Sequence, residues 1–534
     1  MHSGEADFIV VGAGSAGCVV AARLSEVGHR VLLLEAGPSD WRPMIHIPAG
    51  MVTLLRHPAV NWNYTSQPEP GIGNRALGWP RGKVLGGSSS INGMLYLRGH
   101  PADYDGWAQM GCIGWSAAEV LPLFRKSERR MGGENDYRGR DGEMAVEDYW
   151  TILPLTDRFV NAAVEAGVPF TPDLNGSQPE GVGYSQMSRN RRIRHSTARA
   201  FLRPARRRAN LRVETNALAR RVLFEGKRAV GVEYERGGVV QQARAHCEVI
   251  VCGGAVNSPQ LLQLSGIGPG AHLQAIGVPV VHDLAGVGSN LIDHLAALLA
   301  YRVRGEISVN ELRRGALLMR EVARWCLFGT GALTFGVSTA SVFARMREGR
   351  MSPDLQILFT PGSYDRSRFG ELEREPGMTA AVCAVNPQSR GTIMATSPDP
   401  KHAPEIRPNY FSMPEDMEVT LAGIRLARRI FAQPAITDVI AAETVPGPQA
   451  QDDAALTEFA RMHTSTVFHP VGTCRMGIDP GAVVDPRLRV HGVERLRVVD
   501  ASIMPTITTG NTNAPTIMIG EKGAAMIRED ARAN

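Results

Sequence analysis

Cysteine is scarce and scattered. The seven residues (Cys18, Cys112, Cys247, Cys252, Cys326, Cys383 and Cys474) are spread over 534 positions, with no pair in CxxC spacing. That argues against a disulfide framework and a zinc ribbon, and no metal site is expected. Long apolar runs are also missing. The best attempt, Ala316 to Val337, is broken by Arg320, Glu321 and Arg324, whereas a membrane span needs about 18 uninterrupted apolar residues. The opening MHSGEADFIVV carries acids where a secretory signal has a basic segment and an apolar core. A cytoplasmic protein with no integral membrane segment is the expectation. Charge of one sign is lacking too: 58 Lys plus Arg against 53 Asp plus Glu leave +5. A nucleic-acid partner would need a much denser basic face.

What is present is an ordinary globular balance, 43% hydrophobic and 21% charged. At this length the chain exceeds one compact core, so several domains or two large ones are expected. Asp7 to Val11 reads as a buried parallel strand, followed by a glycine turn, a helix to about Val27, and a second strand over Arg30 to Glu35. Arg212 to Ala245 reads as an antiparallel meander with turns at EGKR and ERGG. Glu248 to Cys252 and Leu496 to Asp500 are further buried strands, and about Asn513 to Arg528 is a last helix. Between Ile307 and Ala460 helices mix with strand-like runs (Asp354 to Phe359, Gly377 to Val385, Gly391 to Ala395). The interleaving predicts two domains woven from discontinuous segments. Arginine is dense from Arg189 to Arg208; a solvated face or a loop against a cofactor is preferred to an acidic-substrate site.

Three motifs carry chemistry. Gly12-Ala13-Gly14-Ser15-Ala16-Gly17 stands between a strand and a helix, with Glu35 ending the next strand. Glycines let the backbone approach a pyrophosphate at the helix N-terminus, and the carboxylate can accept hydrogen bonds from ribose hydroxyls. A carboxylate repels a 2′-phosphate, which disfavours NADP and leaves NAD and FAD open. The second motif, Gly82 to Met94, contains Gly86-Gly87-Ser88, whose N–H groups can press on a phosphate or a ring edge. Its serines do not stand in GxSxG, so no hydrolase elbow is expected. The third, Gly254 to Gly268, reads as a capped helix with Pro259 in its first turn and a glycine stop.

Together these motifs resemble the glucose–methanol–choline (GMC) family of FAD-dependent oxidoreductases. The likeness continues through Val287 to His294, Ser389-Arg390-Gly391, His469 to Gly477, Val499 to Pro505 and Asn511 to Thr516, so it spans essentially the whole chain. Among the family's branches the sequence is most similar to bacterial choline-dehydrogenase-like alcohol oxidoreductases. The resemblance implies a mixed α/β fold: a Rossmann-like FAD domain (1–155, 190–306 and 461–534) and a substrate domain with an antiparallel sheet and helices (156–189 and 307–460). It also implies cofactor contacts from Gly12, Gly14, Ser15, Ala16, Gly17, Glu35 and Ala36. Further contacts are implied from Val84, Gly86, Gly87, Ser88, Asn92, Gly93, Met94 and Leu95, and from Val222 against the adenine. Asp500, Ala501, Asn511, Thr512 and Thr516 would complete the set. The terminal helix would direct its N-terminus at the flavin's pyrimidine end.

Alcohol oxidation requires removal of the hydroxyl proton, coupled to stabilisation of the developing alkoxide, and loss of the α-hydride. By the resemblance His469 is the base, passing the substrate's hydride to flavin N5. Its partner falls on Asn513, with Asn511 two residues upstream as the alternative assignment. Some members bind FAD covalently through a histidine in the second motif; Ile91 stands there and cannot form that bond, so noncovalent FAD is expected. The leading expectation is a primary-alcohol dehydrogenase. An oxidase releasing H2O2, hinted at by Val467, and a non-redox hydroxynitrile-lyase activity are the alternatives. The physiological electron acceptor and the particular alcohol are not fixed by the sequence. Choline would want an aromatic cage and a carboxylate, and aromatic content is 6%.

Overall fold

The computed structural model describes residues 5–365 and 371–533. Two seven-stranded sheets organise them. The first grows from Glu5–Val11, whose inner residues Phe8 to Val10 are almost wholly buried. Val31–Leu34 and Leu211–Glu214 follow on one side, all parallel. On the other side lies a thirteen-residue strand, Val239–Val251. The sequence reading divided this stretch into the end of a meander and a separate strand at Glu248. The structure shows one strand serving both purposes. Its first half pairs antiparallel with Arg228–Arg236, and its second half pairs parallel with Glu5–Val11 and Leu496–Val498. Polar residues along its exposed first half and apolar ones in its buried second half produce the apparent break.

Ser15–Glu26 packs across this sheet, and the terminal helix Asn513–Ala533 lies against it. The third motif forms a helix over Gly254–Leu264 with Pro259 inside it, rather than in the first turn as expected. Proline cannot donate to the carbonyl one turn back. Here the Ala255 carbonyl instead accepts from Thr473 Oγ1 at 2.6 Å, so the defect is repaired from the His469 segment.

The second sheet is antiparallel throughout, in the order Ile440–Val445, Leu295–Val303, Gly377–Ala384, Leu355–Thr360, Ala340–Ala344 and Gly181–Tyr184. Pro154–Glu165 and Pro414–Phe431 cover one face, with the Phe159 and Phe359 rings stacked at 4.3 Å. Alternation along a strand sends neighbouring side chains to opposite faces. Ile357 and Phe359 accordingly join the helix-covered core, while Leu358 faces a cavity between the sheets.

Sheet membership departs from the expected segment boundaries in two places. Leu295–Val303, assigned by sequence to the FAD segments, lies within the second sheet, and Thr464–Thr466 pairs with it. Leu295–Val303 follows His294 directly and Thr464–Thr466 comes just before His469, so both histidines stand beside strands of the second sheet. No helix among the described residues is long and apolar enough to cross a membrane.

Candidate active site

The cavity between the sheets is lined by most of the residues singled out from sequence. Gly12, Gly14, Ser15, Ala16, Glu35 and Ala36 contribute from the first motif and the second strand. Gly87, Ser88, Asn92, Gly93, Met94 and Leu95 come from the second motif, and Asp500, Ala501, Asn511, Thr512, Asn513 and Thr516 from the C-terminal segment. Four expected contacts do not line it. Gly17 packs the helix on its own loop: a Cβ there would lie 1.9 Å from the Gly12 carbonyl oxygen. Gly86 donates its N–H to Ala13 O at 2.7 Å, bracing the two glycine loops. Val84 is wholly buried with Ile45, Leu54, Val60 and Ile91. Val222 is also buried, its N–H bonded to Ser265 Oγ at 2.8 Å; Ala217, Leu218 and Ala219 of the same strand reach the cavity instead. The strand identified from sequence does reach the cavity, but through residues three to five positions earlier.

The donors and acceptors suit a dinucleotide. Glu35 accepts from the N–H groups of Ala13 (2.9 Å) and Gly37 (2.8 Å), which fixes its carboxylate at the cavity wall. Burial pushes its pKa up to about 7, against the pull of those two hydrogen bonds. A Cβ on Gly87 would meet Gly14 Cα at 2.7 Å, so the two loops can approach this closely only as glycine. The N-terminus of the long terminal helix opens on the same cavity, with its unsatisfied N–H groups. Asn511 Oδ1 is buried there without a hydrogen-bond partner, an atom whose burial needs a bound group to be tolerable. These features fit FAD.

In the arginine-rich stretch Arg191, Arg192, Arg203, Arg206 and Arg207 are exposed, as the solvated-face reading expects, while Arg189 and Arg194 depart from it and are fully buried. Arg194 donates to Ile45 O (2.9 Å), Asn92 Oδ1 (2.7 Å) and Ser89 O (3.3 Å), and so props up the second motif.

His469 is buried at the cavity wall and held on three sides. Its backbone N–H donates to Asp293 Oδ1 at 2.8 Å; the other oxygen of that carboxylate accepts from Tyr410 (2.5 Å) and Thr466 (2.6 Å). The preceding residue, Phe468, has φ of 67°, a left-handed conformation that costs a bulky residue on the order of 1 kcal/mol. It is held there by its N–H to Thr466 Oγ1 (2.8 Å) and by Arg81, whose Nη2 donates to the Phe468 carbonyl at 2.7 Å.

The ring is set by a third contact. His294 Nε2 lies 3.0 Å from the Val385 carbonyl, and its Nδ1 lies 3.0 Å from His469 Nδ1. A carbonyl only accepts, so His294 Nε2 carries the proton. Burial lowers the His294 pKa to about 4 and keeps the ring neutral, so its Nδ1 is an acceptor. His469 must then donate through Nδ1. Burial, followed by the neighbouring His294 and Arg81, holds its pKa well below the usual histidine range. The hydrogen-bond network therefore leaves a bare lone pair on His469 Nε2. Asn511 Nδ2 lies 2.9 Å from that atom.

Asn513, the first-choice partner from sequence, is not in this arrangement. Its Oδ1 accepts from Ser15 Oγ at 2.7 Å, tying the terminal helix to the first motif. Asn513 is the first residue of the helix, whereas Asn511 lies two residues before it and faces the histidine. Counting back along the helix cannot detect that turn. His294 and Asp293 were missed as active-site residues. The available signal was their place in the Val287 to His294 segment, yet a lone buried histidine reads by default as core.

The models of the GMC oxidoreductase family match residues 6–296 and 387–520. The chain belongs to the GMC oxidoreductase family. It is an FAD-dependent oxidoreductase. It is 44% identical over 529 residues to an alcohol dehydrogenase (acceptor) of Pseudomonas putida, covering 98% of this chain and 95% of that protein. It is also 44% identical over 542 residues to the mitochondrial choline dehydrogenase of Mus musculus (98% and 89% covered). Among solved structures, pyridoxine 4-oxidase from Mesorbium loti superposes with a TM-score of 0.89 at 30% identity, covering 98% and 99% of the two chains. These relatives are redox enzymes by name and lend no support to the lyase alternative.

Proposed function

We propose that the protein oxidises a primary alcohol to an aldehyde, with His469 Nε2 as the base and Asn511 as its partner. The reading rests above all on the chain from the Val385 carbonyl through His294 to His469, which leaves Nε2 unprotonated. A substrate hydroxyl within reach of both groups gives its proton to Nε2 and accepts a hydrogen bond from Asn511 Nδ2. Asparagine can donate but cannot take the proton near neutral pH, so the roles are not interchangeable. A hydrogen bond to the oxygen is most useful as alkoxide character develops, which is when it lowers the barrier. Bound FAD supplies the hydride acceptor, flavin N5. Asp293 and Arg81 hold the N–H and the carbonyl of the peptide unit that leads into the base, so that its ring needs little rearrangement during the reaction.

The cofactor is held without a covalent bond, a reading supported by Ile91 at the cavity wall, which offers no nucleophile. The relative named alcohol dehydrogenase (acceptor) favours a non-oxygen electron acceptor, whereas those named oxygen-dependent choline dehydrogenases favour O2. Val467, also on the cavity wall, is the feature that favours oxygen; dye reduction outpacing peroxide formation is expected. Anaerobic addition of a primary alcohol to the holoenzyme tests the main reading. Bleaching of the yellow flavin with aldehyde formed in equal amount is expected, and a flavin left yellow by every primary alcohol would contradict it.

A further inference from the structure

Away from the glycine motifs the cavity lining is largely apolar. Met51, Leu55, Val337, Leu358 and Val467 contribute to it, from segments outside the glycine motifs. Among the described residues only two that line the cavity carry carboxylates, Glu35 and Asp500, and both are committed to the cofactor cradle. Glu35 accepts from Ala13 and Gly37. Asp500 accepts from the N–H groups of Gly254 (2.8 Å) and Ser502 (2.8 Å) and from Ser258 Oγ (2.5 Å). Asp293 stands behind His469 and does not line the cavity.

The charge that does line this wall is positive. Arg81 reaches it; Asp293 is near enough to act on its charge but makes no direct ion pair with it. Trp62, the lining tryptophan, is already engaged within the protein. Lys83 Nζ lies 4.5 Å from its ring centroid, and the Tyr64 ring stacks on it at 5.7 Å with a 6° interplanar angle. A quaternary ammonium needs aromatic faces or a carboxylate in exchange for its hydration. Here it would meet a largely aliphatic wall, Phe468, a tryptophan already holding an ammonium, and a guanidinium, with no free carboxylate to pair with.

We infer that the substrate is an uncharged primary alcohol with an apolar tail, and that the cavity rejects alcohols bearing a quaternary ammonium. The inference rests on the alcohol-oxidising reading of the same site. It separates this chain from its relatives named choline dehydrogenases and aligns it with the one named alcohol dehydrogenase.

Choline and 3,3-dimethyl-1-butanol have the same shape and differ in one atom, a charged nitrogen in place of a carbon. The holoenzyme is mixed anaerobically with each, and with 1-hexanol, and the second-order rate of flavin bleaching is measured. The faster of the two neutral alcohols should exceed choline by about 100-fold or more, as expected for an unpaired buried charge. Choline matching or outpacing both neutral alcohols would overturn the inference while leaving alcohol oxidation intact. Bleaching by none of the three would contradict alcohol oxidation itself, and the inference would fall with it.

Discussion

His294 Nδ1 lies 3.0 Å from His469 Nδ1, with the two rings nearly perpendicular at 84°. The contact makes one histidine the orienting partner of the other. A tautomer set in this way is worth much in catalysis, because a base with its proton on the wrong nitrogen is no base.

Replacing the orienting ring should therefore cost turnover without removing the flavin. His294→Ala is expected to lower kcat by about 10- to 100-fold, and His294→Gln, which can still offer an acceptor, should recover part of the loss. The acid limb of the kcat/KM profile should move to higher pH in His294→Ala, because a neighbour that lowers the His469 pKa is gone. A purely structural role would leave that limb in place.

The same ring links acidity to stability. His294 and His195 are both held at a pKa of about 4 by burial, below the unfolded value of about 6.5. The unfolded chain then binds more protons than the native one between these limits. Each ring's contribution is fully present above about pH 6.5 and is lost as pH falls toward 4. Glu35 and Asp103, raised by burial to about 7 and about 6, act in the opposite direction. The comparison is therefore made between proteins. From pH 7 to pH 5 the wild type should lose about 2 kcal/mol more stability than His294→Gln, read as a larger fall in Tm.

The two asparagines should separate cleanly. Asn511→Ala removes the amide beside His469 Nε2, and kcat/KM per bound flavin should drop by about 100-fold. Asn513→Ala breaks the Ser15 link, so weaker flavin retention with near-normal turnover of the loaded fraction is expected. Equal effects on turnover would contradict the assignment.

Ile91 at the cavity wall makes a further prediction. Acid precipitation of the holoenzyme should release yellow flavin into the supernatant; colour remaining with the pellet would show a covalent bond.

The dinucleotide half was legible because its signals are local. Asp7 to Glu35 contains a strand, a glycine turn, a helix, a second strand and an acidic stop in the order the ligand requires, and the structure returns them almost unchanged. The second sheet was less legible. Leu295–Val303 borders the first sheet's segments in sequence yet pairs with strands up to about 170 residues away. His469 was found through the segment around it, but His294 and Asn511 owe their positions to contacts across 175 and 42 residues. No periodicity along the chain records contacts of that kind. Within the arginine-rich stretch the exception has a related reason: Arg194 is buried because Asn92, Ser89 and Ile45 offer it acceptors, and those partners lie elsewhere in the sequence.

The most direct test is the flavin-reduction rate of His469→Ala with the best neutral alcohol, measured anaerobically on protein whose flavin content has been checked. Loss of the base should slow reduction by about 10³- to 10⁴-fold while the protein stays yellow. A flavin-loaded variant that reduces at the wild-type rate would remove His469 from the chemistry.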